Sequence, residues 1–185
     1  MRLTRGVPRT GGMILAIVLF LLTTCQLGAQ NLEYDVKAAM IYNFAKFVRW
    51  PQQEPNQARA LVVGVVGEGP MRDALDQVLK GKEVEGRQIR TVRFARTEPI
   101  SSCEILFVGS SESTRVREIL DHLQGRPVLT VGETDGFSKT GGVIGFVMEG
   151  NKVRFEINVA AARRVGIEIS SKLLRLATVV GNGGT

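Results

Sequence analysis

Apolar and polar positions follow two different periods along the chain. The run LVVGVVG at 61–67 has no polar side chain, which is typical of a strand covered on both faces of a sheet. Leu75 and Leu79 lie four positions apart, as on one face of a helix, and predict a helix over 71–80 that ends at Gly81. The same patterns predict strands over 88–94, 103–108 and 127–131 and a helix over 113–123.

The pattern changes in the last third of the chain. Residues 143–148 and 153–157 are rich in apolar positions and enclose a central Gly-Asn, which is a signal for a β-hairpin. Strands that alternate with helices before this point favour parallel pairing. The sequence therefore predicts an α/β fold: a single compact domain with a mixed, mostly parallel sheet, flanking helices and a C-terminal antiparallel hairpin.

A long apolar helix is predicted at the start of this domain, over 32–50. Its central stripe consists of Val36, Met40, Phe44 and Phe47, and the stripe is broadened by Tyr34, Ile41, Ala45 and Val48. Pro51 follows and enforces a stop, which leaves Trp50 at the end of the helix. So many large apolar groups predict a helix that is buried on more than one side or that meets a partner.

Capping residues predict the C-terminal elements. Asn158 is a good N-cap for a short helix over 159–165, and Gly166 provides the left-handed exit. Residues 167–169 alternate like a short edge strand. Ser170 or Ser171 then caps a last helix, with an apolar stripe formed by Leu173, Leu176, Ala177 and Val180.

The first 29 residues have the features of an export signal. Three arginines precede the ten apolar residues of 13–22, which are too few to span a membrane, and small or polar residues follow. We therefore expect a signal peptide over 1–29, a domain over 30–180, a flexible tail over 181–185 and a periplasmic protein. A lipid on Cys25 and a retained anchor are the alternatives. Without the three arginines, 21 basic residues remain against 18 acidic ones, a net charge of +3 that gives little reason to expect a nucleic-acid partner.

Only one cysteine remains after this segment. Cys25 belongs to the leader, so Cys103 has no partner for an intramolecular disulfide. An apolar run follows Cys103 directly, which favours a buried thiol. A candidate redox thiol or an intermolecular bond is the second interpretation.

The glycine-rich stretch Gly64-x-x-Gly67-x-Gly69 follows a strand and opens a helix, where backbone N–H groups can bind phosphate. Its order is not that of the dinucleotide pattern, and Pro70 removes one N–H donor. We interpret it as a tight turn.

Residues for catalysis are equally sparse. His122 is the only histidine, so neither a zinc site nor a Ser-His-Asp triad is supported. Ser171 stands beside Lys172, but a capping serine directs its oxygen to the backbone. We expect no catalytic residue, no cofactor and no metal site, and a protein that is not an enzyme.

Several segments together resemble the YfiR family of exported regulators, also called YfiR/HmsC-like. They are VKAAMIYNFAKFVRWP, LVVGVVGEG, GKEVEGRQI, CEILFVG, PVLTVGETDGFSKTGGVIGFVMEGNKVRFEIN and ISSKLLRLA. They occur in order from about Leu32 to Ala177, and this series is far more specific than any one segment. Cys103 lies in the matching CEILF segment without a second cysteine, so an intramolecular redox disulfide does not carry over.

The resemblance implies a periplasmic, non-catalytic homodimer that represses an inner-membrane diguanylate cyclase by binding its periplasmic sensory domain. Cyclic di-GMP and biofilm formation would fall as a result. We expect partner contacts at Trp50, Glu156, Asn158 and Arg175. The alternative is a periplasmic small-ligand-binding protein of a transport or sensing system, with an apolar pocket beside the glycine-rich turns.

Overall fold

A mixed eight-stranded sheet forms the centre of the structure, a computed structural model that describes residues 32–51, 59–95, 100 and 103–181. The elements in chain order are α1 (32–47), β1 (Val48–Arg49), β2 (Leu61–Val66), α2 (Met71–Leu79), β3 (Glu83–Val84), β4 (Arg87–Phe94), β5 (Ile105–Val108), the 3₁₀ helix η1 (Ser110–Arg115), α3 (Val116–His122), β6 (Leu129–Gly132), α4 (Phe137–Thr140), β7 (Ile144–Glu149), β8 (Lys152–Asn158), α5 (Val159–Arg164), β9 (Glu168–Ile169), α6 (Ser171–Leu174) and β10 (Thr178–Val180).

The order of strands across the sheet is β10-β8-β7-β6-β5-β2-β4-β3. The pairs β3–β4 and β7–β8 are antiparallel, and the other neighbours are parallel. The β7–β8 hairpin turns through Gly150 and Asn151, and Gly150 has a φ of +59°, as the Gly-Asn signal requires. The predicted fold class, including the C-terminal antiparallel hairpin, is confirmed.

Each face of the sheet has its own apolar core. In β2 the side chains of Leu61, Val63 and Val65 pack on the side of α1 and α2, whereas Val62 and Val66 pack on the side of α3. All six residues of β2 are buried, which confirms that this strand is covered on both faces.

The first helix is shorter than predicted, and only part of its broad predicted apolar surface is buried, namely the part with Ile41, Phe44 and Ala45. It ends at residue 47, and Val48 and Arg49 form β1, which pairs antiparallel with β9 in a separate two-stranded sheet. Val36 is 37% exposed, and of the predicted central stripe only Phe44 is fully buried. The buried face consists of Lys37, Ala38, Ile41, Phe44 and Ala45. Small alanines on this face let the helix approach the sheet closely, so residue size as well as hydrophobicity selects it.

The prediction of the last helix is wrong beyond the first turn of that helix. Ser170 caps α6 by accepting the backbone N–H of Lys172, but α6 ends at Leu174. The chain then forms β10, which lies parallel to β8. Leu176, placed in the predicted apolar stripe, is 71% exposed. Pairing with β8 gives the backbone N–H and C=O groups of residues 178–180 partners that helical periodicity cannot reveal.

The remaining helices differ from prediction mainly at their ends. The helix predicted over 113–123 is a 3₁₀ turn followed by α3. Asn158 caps α5 by accepting the N–H of Ala161 at 2.8 Å, and Gly166 has a φ of +73°, as predicted. The predicted signal peptide over 1–29, Cys25 and residues 182–185 of the predicted tail lie outside the described residues. Within the described part of the chain, no helix is both long and apolar enough to cross a membrane.

Candidate partner-binding surface

Charged groups fill the carboxyl edge of the sheet where α1 crosses the end of β6. Glu133 accepts hydrogen bonds from Lys37 Nζ at 2.7 Å, from the backbone N–H of Ser110 at 3.0 Å and from the Tyr34 hydroxyl at 3.3 Å. Lys37 also forms an ion pair with Glu33 at 2.6 Å. Ligands of α/β proteins often bind beyond this edge of a sheet, but here Glu133 is already engaged by groups of the chain itself.

The protonation states of Lys37 and Tyr34 indicate that this cluster has a structural role. Burial lowers the pKa of Lys37, but hydrogen bonds and attraction to Glu133 and Glu33 outweigh burial and raise the pKa above its ordinary value. Burial and the charge of Glu133 raise the pKa of the Tyr34 hydroxyl. Both groups therefore keep their protons at neutral pH, and the cluster fastens α1 to the sheet.

The glycine-rich stretch forms a tight turn, as interpreted from the sequence. Gly67 and Gly69 have φ values of +103° and +134°. The backbone N–H of Glu68 between them donates to Ser111 Oγ at 2.8 Å, and a Cβ at Gly67 would lie 2.7 Å from the same oxygen. This N–H, which a phosphate would need, is therefore bonded within the protein, and the glycine is required by close approach of the neighbouring loop.

Two of the predicted contact residues, Glu156 and Asn158, meet at the buried Ser138. The Ser138 hydroxyl donates to Glu156 Oε2, and Asn158 Nδ2 donates to the backbone oxygen of Ser138 at 2.8 Å. Glu156 is half-buried, whereas Asn158 is fully buried and caps α5. Asn158 therefore does not reach the surface, and its effect on a partner would come through the position of α5.

Trp50 lies half-buried against the core near the C-terminal segment. Its indole N–H donates to the backbone oxygen of Glu104 at 3.2 Å. The next residue, Pro51, lies close to Gly166, and Arg49 pairs with Glu168 across the β1–β9 ribbon. Packing and a hydrogen bond account for the position of Trp50, and its contact with a partner stays a prediction.

Arg175 belongs to an exposed segment that combines basic and apolar side chains. We define the C-terminal surface by its five exposed residues, Lys172, Arg175, Leu176, Thr178 and Val179. Leu176 is 71% exposed and Val179 is 55% exposed, which is unusual for large apolar residues so close together in the chain. β10 pairs with β8 on one side, and within the described residues its other edge has no strand beside it. Such an edge presents backbone groups that a second chain can pair with.

Cys103 is buried at the start of the segment that leads into β5. Burial raises the pKa of its thiol to about 12. This pKa already includes smaller contributions, in which Arg126 and a backbone hydrogen bond from Gly64 lower the pKa and Glu104 raises it. The thiol is therefore uncharged at neutral pH and has the environment of an inert core cysteine. Its assignment as a redox thiol stays a prediction.

Other chemistry is sparse in the part of the chain that the structure describes. No group of three or more His, Cys, Asp or Glu residues is placed to hold a metal ion there. His122, on α3, has its Nδ1 2.8 Å from the backbone oxygen of Glu118 and is exposed. Sequence reasoning missed the cluster of Lys37 and Glu133, for which the available signal was a lysine on the apolar face of α1, four residues after Glu33.

Fold and surface together define a class of protein: a single α/β domain whose exposed edge strand, with basic and apolar side chains around it, suits contact with another chain. The chain belongs to the YfiR/HmsC-like family, whose model matches residues 34–178. The resemblance found in the sequence is thus confirmed. Membership is consistent with a periplasmic regulator of diguanylate cyclase signalling.

Proposed function

We propose that this protein is an exported periplasmic regulator that represses an inner-membrane diguanylate cyclase by binding the periplasmic sensory domain of that enzyme. Repression lowers cyclic di-GMP in the cell and with it biofilm formation. Membership of the YfiR/HmsC-like family supports the signalling role. The proposed site of contact rests on one observation, the C-terminal surface. There Leu176 and Val179 are exposed at an edge strand of the sheet.

Repression of this kind requires binding and no chemistry. A protein that binds the inactive conformation of a cyclase more tightly than the active one shifts the equilibrium by that difference in affinity. A tenfold shift needs a difference of about 1.4 kcal/mol, which a few well-packed side chains supply.

The C-terminal surface provides two means of contact. β10 can accept a strand from the partner along its open edge, which would give main-chain hydrogen bonds. Leu176 and Val179 add apolar area to the contact, and Arg175 provides a cation that can pair with a carboxylate of the partner.

Capture from membranes tests the proposal. The exported protein, with a tag placed directly after the predicted signal peptide and away from the C-terminal surface, is used to capture partners from detergent-solubilised inner membranes. The synthesis of cyclic di-GMP by the captured material is measured with and without added protein. We expect a diguanylate cyclase whose activity falls when the protein is added. Capture of no cyclase at low salt, with thiols reduced, would contradict the proposal.

Arg175→Glu tests the proposed contact. We expect at least roughly tenfold weaker capture, because the substitution places a carboxylate where a cation met the partner. The melting temperature should stay nearly unchanged, since Arg175 is exposed. Arg117→Glu on α3 is the matched control, since it reverses an exposed charge on a different element and should capture normally. A folded Arg175→Glu variant that binds as well as the control would remove Arg175 from the interface.

The proposal includes a homodimer. Tagged and untagged copies produced in one cell should then co-purify, and the purified protein should have twice the mass of one chain by light scattering. A monomer at micromolar concentration that still represses the cyclase would separate dimerisation from function.

A further inference from the structure

A cavity of about 500 Å³ lies between the ends of α3 and α4, the start of β6 and the helix α5. Six of its lining residues are aliphatic: Leu120, Leu123, Val128, Val143, Ala161 and Val165. The volume is within the range of sites that bind small molecules. The cavity borders both cores, since Leu123 and Val128 belong to the core on the α3 side and Val143 and Ala161 to the core on the α1 side. Its lining does not include the glycine-rich turns after β2.

Two arginines and one acidic residue give the cavity its charge. The guanidinium of Arg126 is held in place, because its Nη1 donates to the backbone oxygen of Ile100 at 3.0 Å. Arg164 is exposed in the last turn of α5. The carboxylate of Asp121 accepts a hydrogen bond from Gln124 Nε2 at 2.9 Å, which partly satisfies it. Arg164 therefore places an exposed cation beside the aliphatic residues of the cavity.

Some carbonyl groups at the helix ends around the cavity are satisfied within the chain. α3 and α5 both end there, and free carbonyl groups at a helix end would repel an anion. The N–H groups of Leu123 and Gln124 donate to two carbonyl oxygens in the last turn of α3, those of Leu120 and Asp121. The N–H groups of Val165 and Gly166 donate to the carbonyl oxygens of Ala162 and Arg163 in the last turn of α5. These carbonyl oxygens are thus already hydrogen-bonded within the protein.

We propose that this cavity binds a small organic anion with an apolar body, of the class of medium-chain fatty acids. The aliphatic chain lies against the wall formed by α3, β6 and α5. The carboxylate is held at the rim by Arg164, whose side chain is exposed in the last turn of α5. This inference does not rest on the proposed contact with a cyclase, because the cavity and the C-terminal surface share no residue.

Calorimetric titration with three probes tests the ligand class. Decanoate has both the anionic head and the apolar body, decanol lacks the charge, and acetate lacks the body. We expect binding of decanoate, at least roughly tenfold weaker binding of decanol and no measurable binding of acetate. Equal affinity for decanoate and decanol, or no binding of decanoate below its micellar range, would overturn the proposal.

Arg164→Ala tests the site, with Arg163→Ala as its matched control. Both arginines are exposed in the last turn of α5, so both substitutions remove the same favourable interaction with the helix end. Only Arg164 lines the cavity. We expect roughly tenfold weaker decanoate binding for Arg164→Ala and no change for Arg163→Ala, at closely similar melting temperatures.

Charge reversal and direct location complete the test. Arg164→Glu should bind decylammonium better than decanoate, which reverses the preference of the unaltered protein. Crystals grown with 10-bromodecanoate should show the bromine between α3 and α5 by anomalous scattering. Bromine at another place, or equal decanoate binding by Arg163→Ala and Arg164→Ala, would show that the cavity is not the site.

Discussion

Among single residues, Cys103 shows how burial decides reactivity. The thiolate is the reactive form, and burial raises the pKa of this thiol to about 12 from an ordinary value of 9.0. At pH 8 the fraction of thiolate is therefore about a thousandfold lower than in an unfolded chain. The burial of Cys103 could be predicted from the apolar run that follows it in the sequence. The size of the increase in its pKa could not.

We predict that iodoacetamide at pH 8 labels Cys103 at least about a hundredfold more slowly in the native protein than in urea. The extent of labelling is measured by mass spectrometry on the peptide that contains Cys103, so that Cys25 does not interfere. Labelling of the native protein at a rate near that in urea would show an accessible, ionisable thiol and would favour the redox interpretation.

Hydrogen bonds of its buried side chain make Asn158 a sensitive position. Asn158→Ala removes the cap of α5 and the bond to the backbone oxygen of Ser138, and we expect the free energy of unfolding to fall by about 2 kcal/mol. Urea denaturation measures it. Ser170→Ala, which removes a longer and more exposed capping bond at α6, should cost less than about 1 kcal/mol. Equal losses of unfolding free energy in the two variants would mean that the burial of Asn158 adds nothing to the contribution of its hydrogen bonds.

The elements α4 and β7 fit together because glycines leave room for one aromatic ring. A Cβ added at Gly132 or at Gly142 would collide with the ring of Phe137, and one at Gly145 would touch Ser138. Phe137 is itself buried. The space that these glycines leave for the ring of Phe137 sets how closely the short helix α4 lies on the sheet.

Gly142→Ala is expected to lower the free energy of unfolding by about 2 kcal/mol, because Phe137 must move from a packed position. Phe137→Leu combined with Gly142→Ala should cost less than the two separate losses added together, which a double-mutant cycle in urea measures. Gly181→Ala, where a Cβ meets nothing, is the control and should change stability by less than about 0.5 kcal/mol. Additive losses would contradict a clash with this ring.

Secondary structure near the C-terminus shows where local pattern fails. Leu173, Leu176, Ala177 and Val180 have helical spacing, yet only residues 171–174 are helical. The sequence Thr178-Val179-Val180 is β-branched throughout and suits a strand, so local preference was divided. Pairing with β8, more than 20 residues earlier in the chain, decided the outcome. In contrast, Asn158 and Gly166 delimit α5 by local bonds and were predictable.

For the whole molecule, the ion pair between Lys37 and Glu133 joins α1 to the sheet across 96 residues of sequence. Lys37→Met leaves Glu133 with two other donors, and we expect a loss of about 3 kcal/mol at pH 7, measured by urea denaturation. Lys46→Met on the exposed side of α1 is the control and should have little effect.

The same pair predicts a loss of stability in alkali. The pKa of Lys37 is higher in the folded protein than its ordinary 10.5, so its contribution is complete below pH 10.5 and is lost as the pH rises through the folded pKa. The raised pKa of Tyr34 acts in the same direction above its ordinary 10.0. The free energy of unfolding should therefore fall as the pH rises above about 10, and it should fall less in Lys37→Met with Tyr34→Phe. An equal decline in both proteins would assign it to other groups.

The sequence by itself determined the alternation of strands and helices, the hairpin at Gly150 and Asn151, the cap at Asn158 and the family, because each depends on neighbours in the chain or on a series of motifs. Tertiary structure alone decided the strand β10, the burial of Lys37 and Ala38 on α1, the pairing of Lys37 with Glu133 and the cavity beside Arg164. These features join residues far apart in sequence. Their energies come from burial, strand pairing and charges brought together by folding, which a periodic pattern in one segment does not contain.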